Sequence, residues 1–353
     1  MPPRTVMRCS ISMYTTALAA LSQYAARPVW VQGPGGNTSV KNDNGRMYVK
    51  ASGVLLSGVN EQAGWVETDL IHIKKQLTQE GLSGREQHDT ALIDEAVRTS
   101  AVSGAQSGLR PSMETAFHSL YQRYVLHTHN AFANIYLCSD RAEDICTCLP
   151  GEDDCFSSLV NDYYTPGAEL SWMLYDLYRF EPEMPQITLL PNHGIICAAH
   201  SLEELYSVHD NFHARVSAQL GLNQNDYPVY ALHPGENSFR LQCGFLENYF
   251  SASGELPAIF TEYLVPDHAV YLYPEYYSRN NSKAKVFFDA AAKTITLNTT
   301  EKEAITLAEL MINSAFLWQQ ITTRNFEPLT INFDTEKLRN MGAEQYRRKQ
   351  VEG

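Results

Sequence analysis

The chain predicts a mixed α/β protein made of short strands and amphipathic helices, and three observations carry that reading. Apolar residues recur at helical spacing over residues 12–26, 112–124 and 201–219. Between these stretches lie short apolar or alternating runs bounded by Gly, Pro and Asn, at 46–49, 124–129, 187–190 and 195–198, which read as strands. The 353 residues exceed a typical single domain, and an apolar content of 44% is enough for a sizeable core. One large domain, or one domain with an extension, follows.

Taken in order, the 12–26 helix stops before Pro28, and 29–32 reads as a short strand entering the glycine-rich turn at 33–37. Glycines there let backbone N–H groups approach a phosphate or carboxylate, and Asn37 adds a side-chain donor, although a hairpin turn would look alike. The strand at 46–49 delivers Lys50, Ser52 and Gly53. Runs at 55–57 and 65–68 continue as strands toward a helix near 70–79, and 81–108 receives no assignment. Residues 130–137 read as helix, 140–154 as an exposed acidic loop, and 160–167 as the lead into a helix from 168. Ser201 with Glu204 forms a capping-box pattern for the 201–219 helix, and Gly221 lies beyond its end. Past 223, Tyr227-Pro228 and His233-Pro234-Gly235 look like a linker. Strands are expected at 270–273, 285–288 and 294–298, with 289–293 as a hairpin connection, before a long helix at 301–321.

The chemistry concentrates in PSMETAFHSLYQRYVLHTHN, residues 111–130. Ser112 caps the expected helix and puts Glu114 in its first turn. Beyond it, the strand period of two places His127 and His129 on one face and Thr128 on the other. Two imidazoles so arranged can converge on one cation where the strand ends, and His193, in the PNHG turn between two strands, is the third candidate. Three histidines and a carboxylate would suit Zn²⁺, another divalent metal being possible, with a position left for substrate. The alternative is that His-x-His is two strand residues facing a polar surface. His209 and His213, at i and i+4 on a helix, form a rival pair, but they lack an intervening Glu and an obvious third ligand. Cys138, Cys146, Cys148 and Cys155 fall close together without a CxxC pair, so unpaired thiols of a cytoplasmic protein are the expectation.

The net charge of −13 argues against nucleic acid and against anionic membrane as partners. No stretch approaches the roughly 18 apolar residues of a membrane span. Any anionic substrate must be captured by local donors.

These residues, with GPGGNTSVK at 33–41 and MYVKASG at 47–53, resemble the class II aldolase/adducin family of zinc-dependent sugar-phosphate aldolases, whose scaffold also carries epimerases and decarboxylases. The resemblance runs from about residue 13 to 221. The segments PSMETAFH, YVLHTHNAFA and PDHAVYLYP look similar to the aldolase half of bacterial aldolase–dehydrogenase fusions. It implies a three-layer α/β/α sandwich around a mainly antiparallel sheet over 1–222, with 223–353 as a C-terminal α+β extension of unknown role. It further implies that His127, His129, His193 and Glu114 ligate zinc and that Glu114 is the catalytic acid/base. Gly36, Asn37, Ser52, Gly53 and Ser112 would form an anion pocket opposite the metal. Met113 stands where phosphate-binding aldolases commonly carry a second serine, and Lys41, Lys50 or Arg110 could compensate. Tyr163 or Tyr164 could donate a proton to a substrate hydroxyl. The implied activity is reversible aldol cleavage of a ketose or ketose phosphate through a metal-stabilised enediolate. An epimerase, decarboxylase or dehydratase on the same site is the alternative, and a non-catalytic adducin-like protein is a third. A small sugar or sugar-phosphate substrate and a homo-oligomer, a tetramer above all, are the implied partners.

Overall fold

In the computed structural model, which describes residues 4–78, 90–102, 108–151 and 158–353, a six-stranded sheet organises the first part of the chain. Its strands are β1 (Asn37–Lys41), β2 (Arg46–Lys50), β3 (Trp65–Asp69), β4 (Tyr124–Thr128), β5 (Ile187–Leu190) and β6 (Gly194–Ala199), in the spatial order β3-β2-β1-β4-β6-β5. Every neighbouring pair is antiparallel.

Alternation along the strands sends side chains to both faces. Tyr48 packs beside Leu18 of α1 (Arg4–Ala25), whereas its neighbour Met47 meets Ile73 and Val97 on the other face. Leu126, Ile195 and Cys197 lie in the core with α5 (Ala131–Leu137) and α7 (Leu202–Leu220). Val125, Ile196 and Ala198 pack opposite, against α4 (Thr115–His118) and α6 (Ala168–Tyr178). On that second face α2 (Leu70–Leu77) and α3 (Thr90–Thr99) complete the layer. The fold is thus a three-layer α/β/α sandwich around an antiparallel sheet.

A second, five-stranded sheet follows. It contains β7 (Ala231–Pro234), β8 (Phe239–Gln242), β9 (Tyr277–Ser278), β10 (Val286–Asp289) and β11 (Thr294–Leu297), ordered β7-β8-β11-β10-β9. With it come α8 (Gly244–Ala252), α9 (Pro266–Tyr271), α10 (Glu301–Thr323), α11 (Thr335–Asn340) and α12 (Gly342–Glu352). The buried α10 enters the same apolar core as the first sheet, and its Phe316 ring lies 6.0 Å from Phe132 of α5.

Several local expectations are corrected. The helix expected at 112–124 is the single turn α4, because Thr115 and Ser119 hydroxyls bond the Ser112 and Ala116 carbonyls in competition with the helical ladder. Residues 29–32 form turns closed on the Arg27 carbonyl, and 55–57 enter a 3₁₀ turn at Leu56–Gly58. The expected linker contains β7, paired with β8. Of the strand expected at 270–273, Val270 and Tyr271 instead end α9, for Pro266 at its first position and Asp267 in its first turn favour a helix start. The acidic 140–154 segment carries a 3₁₀ helix, Ala142–Cys148, with Ile145 buried, and the unassigned 81–108 region contains α3. The rest of 81–108 lies largely outside the described residues. Cys146 is disulfide-bonded, so the cysteines are not all free thiols, while Cys138, Cys148, Cys197 and Cys243 are. Among the described residues no helix is long and apolar enough to cross a membrane.

Candidate metal and substrate site

The site forms where the C-terminal end of β4 meets the turn between β5 and β6. His127 pairs with Ile196 in the β4–β6 ladder, His129 follows the strand end, and His193 immediately precedes Gly194. That turn runs close to β4: a Cβ on Gly194, whose φ is +158°, would lie 2.2 Å from the Thr128 carbonyl oxygen. Glu114, just before α4, reaches in from the helical layer that packs on Val125. One ligand atom from each of Glu114, His127, His129 and His193 lies within 4.8 Å of the other three, and all four residues are buried.

The spacing fits a small cation. His127 Nε2 is 3.3 Å from His193 Nε2 and 3.4 Å from Glu114 Oε1, and His193 Nε2 is 3.5 Å from the same oxygen. A tetrahedral zinc with bonds of about 2.0–2.1 Å sets its ligands roughly 3.3–3.5 Å apart. The tautomers agree. His127 Nδ1 lies 3.0 Å from the Ile195 carbonyl, which can only accept, so the proton sits on Nδ1 and the Nε2 lone pair faces the cluster.

Burial shapes the charges. It pushes the Glu114 carboxyl upward, but His127 and His193 outweigh it and hold the group well below the ordinary carboxylate range. Burial lowers His193 to about 4, with His127 and His129 adding to the effect against Glu114, so its imidazole is neutral as a ligand must be.

Beside the quartet lies a cavity of about 10 Å³, room for roughly one water. Gly36, Ser52, Gly53, Ser112 and Met113 line it with Glu114, His129 and His193. A bridge between Ala51 and Pro111 brings the segments that carry Ser52 and Ser112 together. Asn37 is not among the lining residues. Its carboxamide oxygen takes the Thr38 N–H, and its Nδ2 is buried without a partner among the described residues. Lys50 also lines the cavity. Its Nζ donates to the Pro34 and Val54 carbonyls, and burial, opposed by Glu114, lowers it to about 7. Lys41 instead donates to Gln122, and Arg110 stacks on Tyr346 outside the cavity.

The other candidates point elsewhere. Tyr163 donates to Asp334 of the extension, and Tyr164 packs beside the apolar cluster around Phe117. His209 bonds Tyr24 at 2.8 Å and His213 bonds Asn130 at 3.1 Å. Cys138 bonds the Leu264 carbonyl and Cys148 bonds Gln219, while Cys155 lies outside the described residues.

Three charged lining residues escape a reading of sequence: Asp267, Glu344 and Arg347, all from the extension. Arg347 bonds Asp267 and forks onto both Glu344 oxygens, at 2.7 and 3.0 Å. Asp267 falls in PDHAVYLYP, the one signal that could have pointed to it.

Residues 16–220 match the family model described as the Class II Aldolase and Adducin N-terminal domain. The chain belongs to that family. Among solved structures it is similar to the N-terminal class II aldolase domain of a conserved protein from Thermoplasma acidophilum, at 21% identity and a TM-score of 0.46, covering 57% of this chain and 92% of that one. It is similar also to YgbL, a putative aldolase/epimerase/decarboxylase from Klebsiella pneumoniae, at 16% identity and a TM-score of 0.41, covering 61% and 91%. An L-fuculose-1-phosphate aldolase from Thermus thermophilus gives 14% identity and a TM-score of 0.37, covering 59% and 94%. Family membership rests on the sequence match, not on these likenesses. No curated protein matches the chain.

Proposed function

We propose that the protein is a zinc-dependent lyase that cleaves a ketose or ketose phosphate reversibly to a hydroxyketone and an aldehyde. The observation that supports this most is the ligand geometry: three imidazoles and one carboxylate, buried, with one ligand atom of each within 4.8 Å of the others and the separations among Glu114, His127 and His193 at 3.3, 3.4 and 3.5 Å. His127, His129, His193 and Glu114 would hold the ion, which supplies Lewis-acid polarisation of the substrate carbonyl.

The chain's own residues supply the rest. Glu114, depressed by its histidine neighbours and shielded from bulk water, is the base that takes a proton from substrate and returns it at carbon. Gly36, Ser52, Gly53 and Ser112 offer neutral donors to an anionic end of the substrate, with the Lys50 amine and the Arg347 guanidinium alongside. The cavity is too small for a ketose, so turnover requires its covering wall to open, and α12 is part of that wall. The family's homotetramer is the assembly we carry over; light scattering tests it.

A second reading, an epimerase or decarboxylase acting on a sugar acid, rests on the buried Arg347 guanidinium that lines the cavity. A panel of ketoses, ketose phosphates and sugar acids separates the readings. Under the first, ketoses turn over and Glu114→Gln loses about 10²- to 10⁴-fold. Equal turnover by the variant would remove Glu114 as acid/base, and turnover of sugar acids alone would select the second.

A further inference from the structure

The extension reaches the site at three places. Glu309 of α10 accepts the Gly33 N–H at 2.6 Å and so holds the glycine-rich loop. The Asn192 side chain, next to His193, donates to the Leu264 and Leu329 carbonyls at 3.0 and 2.7 Å. Most directly, Asp267 Oδ2 faces His129 Nδ1 at 3.3 Å, with both residues buried.

That last contact is specific. Neither atom has an aligned hydrogen-bond partner among the described residues, and leaving either one buried and unpaired is costly. A carboxylate can only accept, so a proton on His129 Nδ1 satisfies both atoms and leaves the Nε2 lone pair to point at the metal. Gly35 packs against the pair: a Cβ there would lie 2.5 Å from Asp267 Oδ2 and 2.9 Å from His129 Nδ1. Arg347 grips the other carboxylate oxygen and is itself fixed by Glu344. A chain of contacts therefore runs from α12 through Asp267 to a candidate metal ligand.

We infer that Asp267, braced by Arg347, is a positioning residue for metal binding: it sets the tautomer and ring orientation of His129, so the extension completes the metal site. The inference rests on the metal site proposed above. It makes 223–353 a working part of that site, beyond any role in packing.

The test is zinc affinity by competition with a chromogenic chelator, together with the visible spectrum of the cobalt-substituted protein, on the full chain. Asp267→Asn keeps the shape and removes the charge. It should bind zinc roughly 10- to 100-fold more weakly and shift the cobalt spectrum, with unchanged far-UV circular dichroism, and Asp267→Glu should recover part of the loss. A folded Asp267→Asn with wild-type affinity and spectrum overturns the inference while leaving the metal site standing. If Asp267→Asn does not fold, Arg347→Lys decides: weakened zinc binding with a shifted spectrum supports the brace, and wild-type behaviour overturns it. A wild-type protein that binds no zinc, indistinguishable from His127→Ala, overturns both the metal site and the inference.

Discussion

Gly194→Ala separates the strand geometry behind the candidate metal site from ordinary glycine effects. A methyl group there would meet two backbone atoms of the strand end that carries the other imidazoles, the Thr128 carbonyl oxygen at 2.2 Å and His129 Cα at 3.1 Å. Ordinary contact begins near 3.4 Å, so one strand must give by roughly 1 Å in a close-packed interior. The 3.3 Å separation of His127 and His193 then opens beyond what two bonds of about 2 Å from one ion can span. Backbone strain and overpacking together should cost about 3–5 kcal/mol, against a total stability of about 5–15 kcal/mol. Gly221→Ala is the control. Its φ of +65° is also unfavourable to a side chain, but a Cβ there meets nothing within 4 Å, so it should cost only about 1–2 kcal/mol and leave zinc binding alone. Urea unfolding with and without chelator, followed by zinc titration, measures both quantities. The reasoning fails if Gly194→Ala unfolds with Gly221→Ala and binds zinc like the wild type.

Two more outcomes are expected besides those for Glu114→Gln and Asp267→Asn. Removing metal with a chelator should lower the melting temperature, and zinc at a hundred times its dissociation constant should restore about 2.7 kcal/mol; a melting temperature blind to both treatments would count against the site. His209, buried away from the candidate metal site, is lowered to about 3 by burial, with His213 and Arg27 adding to the effect. Its stabilising contribution is complete above the unfolded value of 6.5 and is lost as pH falls toward 3, about 5 kcal/mol over the span. His209→Phe should therefore flatten the acid limb of the stability curve, and parallel limbs in wild type and variant would refute the assignment.

Most strands and helices of the sandwich were legible because they carry apolar patterns and caps, as Ser201 does when it accepts the Glu204 N–H, while their layering was implied by the family resemblance alone. The central strand β1 was not. Its Asn37, Thr38 and Ser39 are polar yet fully buried, and only tertiary partners make that tolerable: Ser22 for Thr38 at 2.6 Å, and His118 for Ser39 at 2.9 Å. No pattern of period two announces such a strand. The convergence of Glu114 with three histidines could be anticipated because the ligand types are sparse and their spacing carries a family motif. Asp267 could not. It is a lone acid on a short, wholly buried helix, and its relation to His129 exists only after more than a hundred residues of intervening chain have folded.

That separation bears on how the site can be held. A histidine that must present one nitrogen needs something to fix the other. His127 finds the Ile195 carbonyl in the strand next to its own. His129 lies past the end of β4, where the ladder no longer supplies a carbonyl, so its orienting group has to come from outside the sheet. Asp267 fills that position, and a carboxylate there brings a demand of its own. Buried as it is, it stays ionised only with a cation, which Arg347 provides; burial pushes the Asp267 carboxyl up, and Arg347 foremost, then His129, bring it below its ordinary value. Arg347 brings two donor edges, and Glu344, raised to about 7 by burial against the pull of Arg347, takes one of them. Each buried charge thus calls for the next, and the sequence of demands ends only at α12. An extension that did no more than cover apolar surface would have no need to carry that series of charges to the edge of the candidate metal ligands.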